Sequence, residues 1–190
     1  MAVGAVLALG AIGPAGASAD PSSSCPSQQF SQPFLAWGDA NYYTLVAGQS
    51  VDNFDATGWT LVGGAKLVTT TLDDGAVGQV LDLPAGAKAI SPAMCVEASL
   101  YPQARAMVAD IQGTLGVQTY VSYDSAAPVY TGVIKSADGG WDPSVPVRLH
   151  SSTLRGVHTA RFTLVGASNS SGKSGETRLY DWYVDPKMRY

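Results

Sequence analysis

Charge is scarce in this chain. Its 190 residues carry 11 Lys plus Arg and 15 Asp plus Glu, 14% in all, with Glu only at Glu97 and Glu176. So little Lys and Glu excludes a helical bundle laced with i,i+4 ion pairs. With a net charge of −4 and no clustered basic excess, nucleic acid is excluded as a partner. Histidine is limited to His150 and His158. They fall in one short stretch beside Arg155, expected to be a loop, and lack both Cys partners and the i,i+4 spacing of a helical zinc site. No Gly-x-Ser-x-Gly elbow is present. Ser171-Gly172-Lys173-Ser174 looks like the end of a phosphate loop, but Gly166 stands one position out of place and no strand–loop–helix unit surrounds it.

A long apolar run is also missing. Met1–Ala19 is uncharged and apolar, broken at Pro14 and followed by the small-x-small site Ala17-Ser18-Ala19. It is too short to span a bilayer and fits a secretory signal peptide cleaved after Ala19, with its basic leading region expected upstream. No other stretch could span a membrane. Two cysteines follow, Cys25 and Cys95. An even count in an exported chain favours a disulfide, and no neighbouring His or helix start would activate either thiol. The expected organisation is a signal peptide over 1–19, a disordered Ser/Pro/Gln-rich arm over 20–32 and one domain over 33–190.

What is present is β-type sequence punctuated by 21 Gly and 11 Pro. Strands are expected over Tyr42–Val46, Trp59–Val62, Ala65–Leu72, Gln79–Leu83, Ala89–Ile90 with Met94–Val96, Arg105–Gln112, Leu115–Tyr123, Val129–Lys135, Val147–Leu149, Thr159–Val165 and Thr177–Val184. In Leu115–Tyr123, alternate residues Val117, Thr119, Val121 and Tyr123 share one face, and Gln118, Tyr120 and Ser122 share the other. Such alternation belongs to antiparallel sheets with one buried and one solvated face. Asp73-Asp74-Gly75 and the Ser168–Gly175 stretch read as turns or loops. No 3.6-residue period lasts three turns. The expected fold is all-β: an antiparallel two-sheet sandwich of jelly-roll type.

Aromatic residues offer the clearest binding candidates. Trp37 and Trp59 are expected at the core or its edge, where large rings dominate sandwich interiors. Trp141 lies in a loop between Gly140 and Asp142, and is either exposed or packed over a sheet rim. Tyr120 shares the polar face of its strand. Asp73, Asp74, Asp142, Asp181, Asp185 and Glu176 could furnish the paired carboxylates of a glycosidase, which must face each other across a cleft.

The strings Pro33–Asp39, Tyr42–Leu45, Gly58–Ala65, Ile90–Val96, Trp141–Ser144 and Tyr183–Pro186 resemble a group of secreted actinobacterial proteins with no assigned activity. Asn53-Phe54-Asp55, Gly58-Trp59 and the terminal Asp181–Val184 resemble the galactose-binding-like jelly roll of many carbohydrate-binding modules. That resemblance implies a structural calcium held by Asp55 and Asp181, although this chain has Asp at 55 where Glu is usual and Tyr180-Asp181 in place of an Asp pair. It implies a secreted, non-catalytic module that binds a glycan or other cell-surface polymer through Trp141, Tyr120 and Trp37. A structural or protein-interaction domain without small ligand is the alternative, and a hydrolase with a carboxylate pair is the third reading.

Overall fold

Turn-forming Gly, Pro and Asp residues cut the chain into short strands that have to pair across long sequence distances. A computed structural model describes residues 25–112, 115–149, 151, 153–168 and 175–187. The signal peptide over 1–19, His150 and the 171–174 segment lie outside the described residues. The strands are β1 (Thr44–Leu45), β2 (Gln49–Ser50), β3 (Asn53–Phe54), β4 (Thr60–Val62), β5 (Lys66–Thr71), β6 (Val77–Pro84), β7 (Lys88–Ile90) and β8 (Met94–Glu97). They continue with β9 (Gln103–Gln112), β10 (Val117–Tyr123), β11 (Val129–Ile134), β12 (Asp142–Pro143), β13 (Val147–Arg148), β14 (Val157–Gly166) and β15 (Glu176–Asp185).

The fold is an antiparallel two-sheet sandwich of jelly-roll type. Among the described residues, one sheet has seven strands in the order β12-β9-β15-β6-β5, with β1 on β15 and β13 on β9. The other has six, β11-β10-β14-β7-β4, with β8 on β14. The expected strands all have counterparts. The two-residue β2, β3 and β12 were not foreseen, being too short to show a period.

The core lies between the sheets. Leu81, Leu83, Ala106, Val108, Leu179 and Trp182 meet Val117, Val121, Ala160, Phe162 and Leu164 there. β10 alternates strictly between buried and half-buried positions, as its sequence pattern requires. On β15 the alternation is interrupted. A plain period of two would put Leu179, Asp181 and Tyr183 on one face. Instead Asp181 takes a left-handed φ of 54°, and the register with β9 shifts between Tyr180 and Tyr183. This bulge sends Trp182 and Val184 inward and Tyr180 and Tyr183 outward. The Trp182 N–H is caught by the Gln49 side-chain oxygen at 2.9 Å.

The seven-stranded sheet is covered on its outer face too. Phe34, Tyr43, Leu72, Val80, Met107, Tyr180 and Tyr183 form a second cluster there. Phe34 docks edge-on against Tyr43 and Tyr183, with ring centroids 5.3 and 5.8 Å away. Arg105 is buried under this lid, its guanidinium carbon 4.5 Å from the Phe34 ring centroid. It donates to the Ser144 carbonyl at 2.7 Å and to the Asp39 carboxylate at 2.6 Å. The Tyr43 hydroxyl donates to the same carboxylate at 2.7 Å and accepts from Gln103 at 2.8 Å. Burial works against the Asp39 charge, but the bonds from Tyr43, the Asn41 N–H and Arg105 hold its pKa below the usual carboxylate range. Arg105→Met is therefore expected to cost about 3 kcal/mol, because it strands a half-buried carboxylate. Asp39→Asn, which keeps an acceptor for Tyr43 but removes the charge opposite the buried Arg105, is expected to cost about 2 kcal/mol. Urea denaturation reads both; equal losses below about 0.5 kcal/mol would show the network to be screened by solvent.

Cys25 is bonded to Cys95, 70 residues away, as the cysteine count predicted. Gln28 donates to the Cys95 carbonyl at 2.8 Å, and Ser31 bridges Tyr43. These contacts lay the part of the arm from Cys25 onward along β8 and lead it to the Phe34 lid.

Candidate functional site

Where the lid meets the bulge, a groove of about 330 Å³ opens on the outer face of the seven-stranded sheet. One wall comes from the chain between Ser31 and Trp37, and the floor from Met107, Tyr180 and Tyr183. The opposite wall carries Val51, Asp52, Asp73 and Asp181. Three local features build it. A 3-10 turn over Leu35–Trp37, closed by Gly38 at a φ of 81°, holds the Trp37 ring out. Trp37 stays 49% exposed beside Phe34, outside the core and at its edge. The hairpin of β2 and β3 sets Asp52 at a left-handed φ of 61°, and its N–H donates to Asp181 Oδ1 at 3.0 Å. The turn after β5 sets Asp73, whose carboxylate accepts the Tyr180 hydroxyl.

The electrostatics of the acidic wall are unusual. Burial pushes the Asp181 carboxyl up to about 7, the nearby Asp52 and Asp73 charges push the same way, and the Asp52 N–H only partly offsets them. Asp52 is raised as well, by burial and by Asp74 and Asp73. The Tyr180 hydroxyl is held strongly protonated by burial and by its bond to Asp73. No Lys, Arg or His is among the described residues lining the groove.

The residues singled out in the sequence are dispersed. Trp37 and Asp181 belong to the groove. Trp141 takes the second of its two readings and packs over the sheet rim, its Nε1 donating to the Thr71 carbonyl at 2.9 Å and its ring edge-on to Tyr180 at 4.9 Å. It packs against Tyr180 of the groove floor within the same outer cluster. Tyr120 stands on the other sheet, 5.5 Å from the Tyr130 ring, its hydroxyl donating to Gln118 at 3.0 Å. Trp59 is buried, as expected. Asp52, Tyr180 and Tyr183 were missed, and nothing in their local sequence marks them. Asp73 was seen as a turn former, which it also is.

Calcium does not fit the Asp55–Asp181 pair. Such an ion needs six to eight oxygens. Asp55 is exposed and closes its own turn by accepting the Thr57 N–H at 2.6 Å, whereas Asp181 is buried against Asp52. Among the described residues no group of three His, Cys, Asp or Glu is placed to hold a metal.

Of the six candidate acids, Asp73 and Asp181 share the groove. Asp142 is tied down by Ser136 and the Ala137 and Asp138 N–H groups. Asp185 caps the Lys187 N–H, and Glu176 pairs with Arg178. His158 sits on β14 rather than in a loop. Its Nδ1 contacts the Asp124 carboxylate and its Nε2 the Arg155 carbonyl at 3.0 Å, a double engagement that latches β14 to the turn after β10. No described helix is long and apolar enough to cross a membrane.

No family model and no curated sequence matches the chain. Among solved structures, the fold is similar to TmCBM61 in complex with beta-1,4-galactotriose, at a TM-score of 0.44 and 12% identity, over 69% of this chain and 92% of that one. It is similar to the CBM22-1 xylan-binding domain of Paenibacillus barcinonensis Xyn10C, at 0.42 and 14%, over 70% and 88%. It is also similar to a family 6 carbohydrate-binding module from Clostridium cellulolyticum in complex with xylose, at 0.39 and 19%, over 63% and 85%. At these scores and identities the likeness concerns the sandwich architecture alone.

Proposed function

We propose that this chain is an exported, non-catalytic β-sandwich that binds a glycan or other cell-surface polymer in the Trp37 groove. One observation carries the reading: a half-exposed indole stands beside convergent carboxylates in a concave site with an aromatic floor. Small-ligand sites combine apolar aromatic walls with a few placed polar groups in this way. A pyranose has an apolar ring face for Trp37 and hydroxyls for the acceptors Asp52, Asp73 and Asp181. The Cys25–Cys95 bond fits the oxidising surroundings that export implies.

Pull-down on insoluble cell-wall and plant polysaccharides tests this. Retention on at least one polymer is expected, and Trp37→Ala should weaken it about tenfold, while Tyr120→Ala on the far sheet leaves it unchanged. Uniform failure to bind, or indifference to Trp37→Ala, would sink the reading. A second reading draws on Asp181, whose raised pKa would let it donate a proton beside Asp73, as in a glycosidase. Release of new reducing ends from a retained polymer would favour it.

A further inference from the structure

The groove concentrates negative charge that the protein leaves uncompensated. Asp52, Asp73 and Asp181 converge on it with no basic residue among its described lining. Three cations on the same sheet are engaged elsewhere, and Arg148 on β13 is not part of the groove lining. Arg105 pairs with Asp39, Lys66 and Arg178 pair with Asp82, and Arg178 also reaches Glu176. Asp181 is only 6% exposed, and the partner of its Oδ1 is the Asp52 N–H. Of the three acids only Asp181 is buried; a buried carboxylate without a counter-charge is costly, and a ligand that supplies the missing charge recovers that cost on binding. A uronic-acid or phosphate-bearing polymer would meet like-charge repulsion. A neutral sugar would donate hydroxyls to the acids but bring no positive charge to offset theirs. A metal ion finds no group of three ligands here among the described residues.

We propose that the groove selects a cationic amino-sugar oligomer, with a 2-ammonium group of the sugar against the Asp181 carboxylate, in the field of Asp52 and Asp73, and the pyranose face on Trp37. This rests on the glycan-binding reading and adds the charge class of the glycan. The flat exposed indole favours a sugar ring over a flexible lysyl chain. The ammonium draws Asp181 into its ionised form, so at mildly acidic pH, where the sugar amine is already fully charged, binding releases protons from the carboxyl. The groups facing Asp181 are Asp52 and Asp73, with the Tyr180 and Tyr183 hydroxyls, which stay protonated at such pH.

Titration calorimetry near neutral pH and low ionic strength would compare four probes: a β-1,4-linked glucosamine tetramer, its N-acetylated form, a galacturonate tetramer and tetralysine. The glucosamine tetramer is expected to bind at least about tenfold more tightly than the N-acetylated one, and the galacturonate not detectably. Asp181→Asn should reduce that ratio to about threefold or less, chiefly by weakening the glucosamine tetramer. Asn suits the left-handed backbone and keeps the acceptor for the Asp52 N–H, so this variant should fold, and a thermal melt checks it. Trp37→Ala should weaken both tetramers. Equal affinity for the amine and N-acetyl forms, with Trp37 required, would overturn the charge class and leave glycan binding standing. No tetramer binding, or tetralysine matching glucosamine regardless of Trp37→Ala, would overturn both.

Discussion

Replacing Cys25 and Cys95 together by Ser is expected to lower the unfolding free energy by about 2–4 kcal/mol. The bond closes a 70-residue separation, for which chain entropy alone gives about 4 kcal/mol. Part of that is returned if the denatured chain is compact. The link joins the arm to β8, which pairs with β14 from Met94↔Ala160 to Glu97↔Val157, so loss should be felt in the global transition rather than as local fraying. The groove should survive it. Phe34 is held independently by Tyr43, Tyr183 and Arg105, so ligand retention measured well below the new midpoint should stay within about twofold. Urea melts of parent and double variant decide the matter. A loss below about 0.5 kcal/mol would mean that the arm is fixed by its other contacts. Lost binding in a folded variant would mean that the groove wall depends on the sulfur bond.

Asp181→Asn is expected to stabilise the ligand-free protein as pH rises. An unfolded aspartate titrates near 4, whereas the folded Asp181 titrates at about 7. Between those values the native state holds a proton that the unfolded state has released. Parent stability therefore falls from about pH 4 to about pH 7, and the penalty is fully present above that. A gap of this size corresponds to about 4 kcal/mol at the ceiling, and relaxation around the carboxylate lowers it. Asn removes the charge and preserves the backbone. The variant should be about 2 kcal/mol more stable than the parent at pH 8 and nearly equal to it at pH 4. Denaturant melts across that range give the difference curve. A flat curve would show that Asp181 is not held neutral by the fold. A charge kept at such cost on a strained bulge belongs to a binding site more readily than to a scaffold. The same substitution should thus trade stability against the amine preference proposed for the groove.

Much of the architecture was legible in the residues themselves. The alternation of Val117, Thr119, Val121 and Tyr123 returned as a strictly alternating strand, and Phe162 and Leu164 took inward places on β14. An even cysteine count gave the bond. Burial repeats every second residue in a strand, so a local pattern records which face is dry. The binding candidates were less legible. Trp141 had two open readings, and only the Thr71 carbonyl and the Tyr180 ring decided between them. For Trp37 the sequence left core and core edge open, and the turn ending at Gly38 holds it at the surface.

The sequence by itself determined the sheet class, the turns and the sulfur pairing, because each depends on neighbours in the chain or on composition. Tertiary structure alone decided the groove. Its parts come from the lid, the β2–β3 hairpin, the turn after β5 and the last strand, brought together by strand order. A single extra residue at Asp181 sets the phase that turns Tyr180 and Tyr183 outward and Trp182 inward. Convergence of distant side chains depends on how sheets stack and on one-residue register shifts, and no local periodicity carries that information.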